Sequence, residues 1–151
     1  MKQFQIMVSL FALSFLSFSA QAADCEATID STDRMRYDTD RIAVDASCES
    51  FTLTLTHSGE MAKNVMGHNW VLTLTDDFQA VGQDGVSAGL ENDYIKPGDE
   101  RVIAYTEVIG GGEQTSVTFD ASELNPEADY TFFCSFPGHS SLMKGDLVVE
   151  S

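Results

Sequence analysis

The sequence has 151 residues, a length that fits one domain with room for a real core. Its 24 acidic against 8 basic residues give a formal net charge of −16. That balance argues against nucleic acid as a partner, because phosphates demand lysine and arginine. It fits high solubility, a cationic partner or a saline medium, and does not choose among them.

The N-terminus reads as an export signal. Met1-Lys2 is a short basic start, "IMVSLFALSFLSF" (6–18) an apolar run, and Ala20-Gln21-Ala22 a small-x-small cleavage pattern. The run is shorter than the ~20 residues a spanning helix needs, so no membrane insertion is expected once it is gone. Residues 1–22 are predicted to be removed before Ala23, leaving a single domain over 23–151. Loss of Lys2 takes the charge from −16 to −17.

Strand patterns follow in chain order at 26–30, 41–45, 50–57, 69–76, 101–108, 115–120, 129–134 and 145–150. "SFTLTLTH" (50–57) puts Phe51, Leu53, Leu55 and His57 on one face and three threonines on the other. "NWVLTLTD" (69–76) sets Trp70, Leu72 and Leu74 against Val71, Thr73 and Thr75. Turn-rich pieces such as "IKPGDE" and "IGGGEQ" separate the runs. About eight short strands with this punctuation predict an all-β, antiparallel sandwich or barrel. One stretch, 76–94, breaks the rhythm, and a short helix is predicted there over Asp77–Ala88, despite its glycines. Trp70, Phe132 and Phe133 are expected to be core.

Three cysteines in an exported chain leave one over after pairing. Cys25 and Cys48 each border a strand and have no metal-ligating neighbours, so they are expected to form a disulfide. Cys134 lies in "FFCSFPGHSSLMKG" (132–145), beside His139 and Met143. A buried cysteine with an incidental loop histidine and methionine is the plain reading of that stretch. Thiolate and thioether, however, are soft ligands that favour copper, and imidazole suits copper too. Zinc is a poorer match, since thioether binds it badly. A tight loop cannot complete a coordination shell, so a donor from elsewhere is needed. His57 lies on the inward face of its strand. His68, in "NVMGHNW", stands at a strand mouth after Gly67, whose lack of a side chain lets the backbone and its carbonyl approach a metal. His68 is therefore the candidate second nitrogen.

Two imidazoles, one thiolate and a distant methionine form the donor set of blue-copper electron-transfer sites. "NVMGHNW" followed by Cys-x4-His-x3-Met resembles the azurin branch of the cupredoxins, whose loop is longer between Cys and His than in plastocyanins or amicyanins. The likeness covers almost all of 23–151, including the Cys25/Cys48 pair and "KPGDERVIAYT". It implies an eight-stranded Greek-key β-sandwich, with 76–94 as a helical flap outside it. It implies one copper per chain on His68, Cys134, His139 and Met143, with the Gly67 carbonyl on the axis opposite Met143. Asn69 would link the two ligand-bearing segments, and the Ser140 backbone would lie near the thiolate.

The resemblance also implies a periplasmic electron carrier rather than an enzyme, working as a monomer with redox proteins such as c-type cytochromes or copper-containing reductases. A copper store or chaperone with the same ligands is the competing class. His139 would reach the surface inside an apolar docking patch of Met35, Met61, Val65, Met66, Val86, Phe136, Pro137 and Leu142. For His57 a satisfied buried imidazole stands beside a sharper possibility, that its protonation couples to the copper potential. Two positions depart from the family: Tyr105 stands where a well-known member carries a surface histidine, and Ser141 where a small apolar residue is familiar.

Overall fold

The computed structural model describes residues 24–150; the export signal expected over 1–22 and its cut before Ala23 lie outside the described residues. Nine strands form two facing sheets. The first has the order β2-β1-β4-β7, from β1 (Glu26–Thr32), β2 (Arg36–Tyr37), β4 (Ser50–His57) and β7 (Gln114–Asp120). The second is β3-β9-β8-β5-β6, from β3 (Arg41–Asp45), β9 (Lys144–Glu150), β8 (Tyr130–Phe133), β5 (Val71–Leu74) and β6 (Val102–Tyr105). This is an all-β sandwich with a short helical insertion. The ninth strand, beyond the eight expected, is the two-residue β2.

The antiparallel expectation needs one correction. β1 runs parallel to β4, and β3 parallel to β9, while the remaining pairs are antiparallel. The chain leaves the first sheet after β2, lays β3 in the second and returns as β4. A strand reached by crossing between sheets need not reverse against its neighbour, as a hairpin partner must.

Period-two patterning builds the core. Phe51, Leu53, Leu55 and His57 of β4 are all buried, as their shared parity predicts. Phe51, Leu53 and Leu55 meet Ile29, Val44, Trp70, Leu72, Phe132 and Leu147 between the sheets, and Trp70 stacks on Phe119 and Phe132. Alternation fails on β5. Val71 and Thr73 are buried alongside Trp70 and Leu72, and Leu74 is exposed. The cause is α2 (Phe78–Ala88), which covers the outer face of the sheet and encloses Val71, Val81, Ile95 and Phe133 in a second core. Strands covered on both faces lose their polar side. Gly85 explains why a glycine-weakened helix is tolerated: a Cβ there would sit 2.0 Å from the Tyr94 carbonyl oxygen, so the close packing admits no side chain. Cys25 and Cys48 are bonded, tying the start of β1 to the turn before β4.

Candidate metal centre

Cys134 follows directly on β8, and Met143 directly precedes β9, so the ten residues between those strands form one closed loop. Its ends are joined by Cys134 N–H donating to the Met143 carbonyl at 3.0 Å. Inside it, His139 N–H donates to Phe136 O at 3.0 Å, and Met143 N–H to His139 O at 2.8 Å. Pro137 and Gly138, the latter at φ 84°, occupy the central places of the Phe136–His139 turn, the chemistry a type II turn requires. His68 arrives from a separate segment behind the four-residue helix α1 (Lys63–Met66). It is locked by a two-way backbone bridge with Ile109, at 3.0 and 2.8 Å. Gly67 is required there for space rather than for its φ of −72°, since a Cβ would lie 2.2 Å from the Lys63 carbonyl and 2.5 Å from Val108 Cγ1.

These two segments bring three donors together. Cys134 Sγ lies 3.6 Å from His139 Nδ1 and 3.9 Å from His68 Nδ1, and the three donor atoms fall within 4.8 Å of one another. His68 Nε2 is 2.9 Å from the Thr32 carbonyl, which can only accept. That bond places the ring proton on Nε2 and leaves the Nδ1 lone pair facing the sulfur. Met143 is fully buried beside them. Burial pushes the Cys134 thiol up to about 12, against the pull of the Asn69 and Phe136 backbone N–H groups. Burial also pushes His68 down to about 4 and lowers His139. The centre thus offers neutral imidazoles and a thiol that gives up its proton readily only to a cation.

The donor set fits a metal. Metal–nitrogen and metal–sulfur bonds of about 2.0 and 2.3 Å at trigonal angles put sulfur and nitrogen about 3.7 Å apart. The two observed separations straddle that distance. One sulfur, two nitrogens and a buried thioether select copper over harder or less thiophilic ions.

Asn69 does link the ligand segments: its Oδ1 accepts Ser135 N–H at 2.9 Å and its Nδ2 donates to Ser135 Oγ at 2.8 Å. Tyr37 O–H in turn donates to the Asn69 carbonyl. Ser140, expected at the thiolate, is not the residue there. The N–H groups reaching Cys134 belong to Asn69 and Phe136, because the Phe136–His139 turn carries Ser140 away to line a surface cleft of about 460 Å³ with Gln79, Gln83 and Lys144. Ser135 is part of this network, and its signal in the sequence is a lone hydroxyl in the apolar run "FFCSF". His57 is buried, with Nε2 3.2 Å from Asp33 Oδ1, its ring 4.6 Å from that of His68, and Nδ1 without a partner among the described residues.

The surface around the loop is apolar in part. Leu142 and Val65 are exposed at 64% and 60%, with Met61, Val86 and Pro137 also exposed, while Met35, Met66 and Phe136 are half-buried. His139 as a whole residue is 4% exposed, and its ring lies stacked on that of Phe136 at 4.6 Å. The departures from the family pattern, Tyr105 and Ser141, are both exposed.

A sandwich with this His-Cys-His cluster at one end defines a blue-copper cupredoxin, and the chain belongs to the plastocyanin/azurin family of copper-binding proteins, whose family model matches residues 23–150. Within it the similarity is to azurins. The azurin of Achromobacter denitrificans is 58% identical over 139 residues, 92% of this chain and 93% of that protein. The azurin of Pseudomonas chlororaphis is 55% identical over 128 residues, covering 85% of this chain and all of the other. A solved structure of an azurin (Az-iso2) from Methylomonas sp. strain J superposes with a TM-score of 0.83 at 50% identity, covering 85% of this chain and all of its own.

Proposed function

We propose that this protein is a periplasmic carrier of single electrons in which His68, Cys134 and His139, together with Met143 and the Gly67 carbonyl, would hold one copper ion. The observation that carries the reading is the convergence of one thiol and two imidazoles, all buried, from a closed loop and a separate strand mouth, with the His68 tautomer fixed by the Thr32 carbonyl. When bound, copper supplies a reversible one-electron couple at these donors. The protein's part is to keep the donors where they are. The Thr32 carbonyl fixes the His68 ring, the Cys134–Met143 backbone bond closes the loop, and Asn69 and Ser135 bind the two ligand segments to each other. Donors held this way have little freedom to rearrange, which keeps the reorganisation on electron gain or loss small.

The same burial disfavours the storage or chaperone alternative, because handing over an ion requires opening the site. The apolar face around Leu142, Phe136 and Pro137 suits brief docking with a redox protein such as a c-type cytochrome or a copper-containing reductase. An absorption spectrum of the mature chain loaded with copper(II) tests the reading. An intense thiolate-to-copper charge-transfer band with reversible voltammetry is expected, whereas a colourless product, or metal lost on reduction, would reject the carrier.

A further inference from the structure

We propose that Asp93 and Tyr94, at the end of the flap, are positioning residues that hold all three strong donors of the copper site from one place in the backbone. The proposal rests on the copper reading above. Both residues sit at φ 53°, in the left-handed region, consecutively and without glycine. That conformation is uphill for any side chain bearing a Cβ, more so for tyrosine than for aspartate. The turn is held there by Tyr94 N–H donating to Gly89 O at 2.9 Å and Ile95 N–H to Asn92 O at 2.8 Å.

Beyond the bonds that hold the turn, four contacts of the strained pair lead to a donor. The Asp93 carbonyl accepts Asn69 Nδ2 at 2.9 Å, next in sequence to His68. It also lies 3.2 Å from Ser135 Oγ, next in sequence to Cys134. The Asp93 carboxylate accepts Val108 N–H at 2.7 Å, and Val108 precedes Ile109, the bridge partner of His68. The Tyr94 ring meets Phe136 edge-on at 5.1 Å, and Phe136 stacks on His139. An extended backbone at 93 would turn the carbonyl away from Asn69, whose second amide hydrogen already goes to Ser135 Oγ. A buried amide would then lose a partner it has no means of replacing. The flap therefore does more than cover Val71 and Phe133, because its C-terminal turn sets the orientation of groups adjoining His68, Cys134 and His139.

Asp93→Asn keeps both the acceptor and the tolerance of left-handed φ; Asp93→Gly keeps only the φ; Asp93→Ala keeps neither. In the metal-free protein, exchange of the Asn69 side-chain amide with solvent, followed by NMR, should speed up about tenfold in Asp93→Ala and stay at the wild-type rate in Asp93→Asn. In the copper-loaded protein, Asp93→Ala should lose copper affinity by about 10- to 100-fold and shift both the charge-transfer band and the midpoint potential, with Asp93→Asn restoring all three. Tyr94→Leu should shift the His139 ring resonances and leave the Asn69 amide alone. Unfolding measurements on the same variants separate stability from positioning. A folded Asp93→Ala that is less stable, yet keeps the wild-type band, potential and Asn69 exchange rate, overturns the proposal. Should Asp93→Ala not fold, Asp93→Gly carries the same comparison. A wild-type protein without the charge-transfer band would reject the copper reading, and the metal-free Asn69 exchange rates would still decide the role of Asp93.

Discussion

The imidazole of His68 has one nitrogen committed to the Thr32 carbonyl and is buried at pH-sensitive cost. Its folded value of about 4 lies below the ordinary 6.5. Between those values the unfolded chain binds a proton that the folded chain refuses, so stability rises with pH across the window. The metal-free protein is therefore expected to lose stability progressively as pH falls below 6.5 toward 4, measured as a falling urea midpoint. Cys134 gives the opposite slope at the other end: its thiol is held up to about 12 from an ordinary 9.0, so stability should fall as pH rises through that range. Cys134→Ser removes the only thiolate and should abolish the charge-transfer band while leaving the sandwich folded.

At the scale of elements, the centre is assembled from one loop and one strand mouth, and the strand mouth admits no side chain at residue 67. Gly67→Ala is expected to cost about 1–3 kcal/mol in denaturant unfolding through overpacking against Lys63 and Val108, and to weaken the copper band by displacing His68. The donors were legible in the sequence because their chemistry is rare and their spacing compact. β4 was legible because alternation holds wherever one face is buried and the other is half-open. Val71 and Thr73 were misjudged because their burial depends on α2, which packs over that face from further along the chain. Ser135 and Ser140 could not be told apart by type. The turn at Phe136–His139 decides between them, and it is a matter of backbone direction. Parallel pairing of β1 with β4 was equally hidden, since it follows from where the chain crosses between sheets.

The whole molecule carries a charge that no single residue explains. With −16 on the full chain, electron exchange with a cationic redox protein should be fast at low salt and slow down as ionic strength rises from about 0.01 to about 0.15 M, where screening shortens to about 8 Å. Rates indifferent to salt would assign docking to the apolar face around Leu142 instead. Reduction of the Cys25–Cys48 bond, remote from the donors, should lower unfolding free energy by about 2–5 kcal/mol without altering the colour of the loaded protein.

The placement of Cys134, His139 and Met143 within ten successive residues has a consequence for the denatured chain. A random coil keeps those three groups near one another and forfeits His68 and the adjoining Gly67 carbonyl, so it remains a chelator in its own right. Ligation by the coil offsets part of the mass-action gain that copper gives the native protein. The rise in melting temperature on loading should accordingly be smaller than the native affinity alone implies, and denaturation should leave much of the ion still attached to the polypeptide.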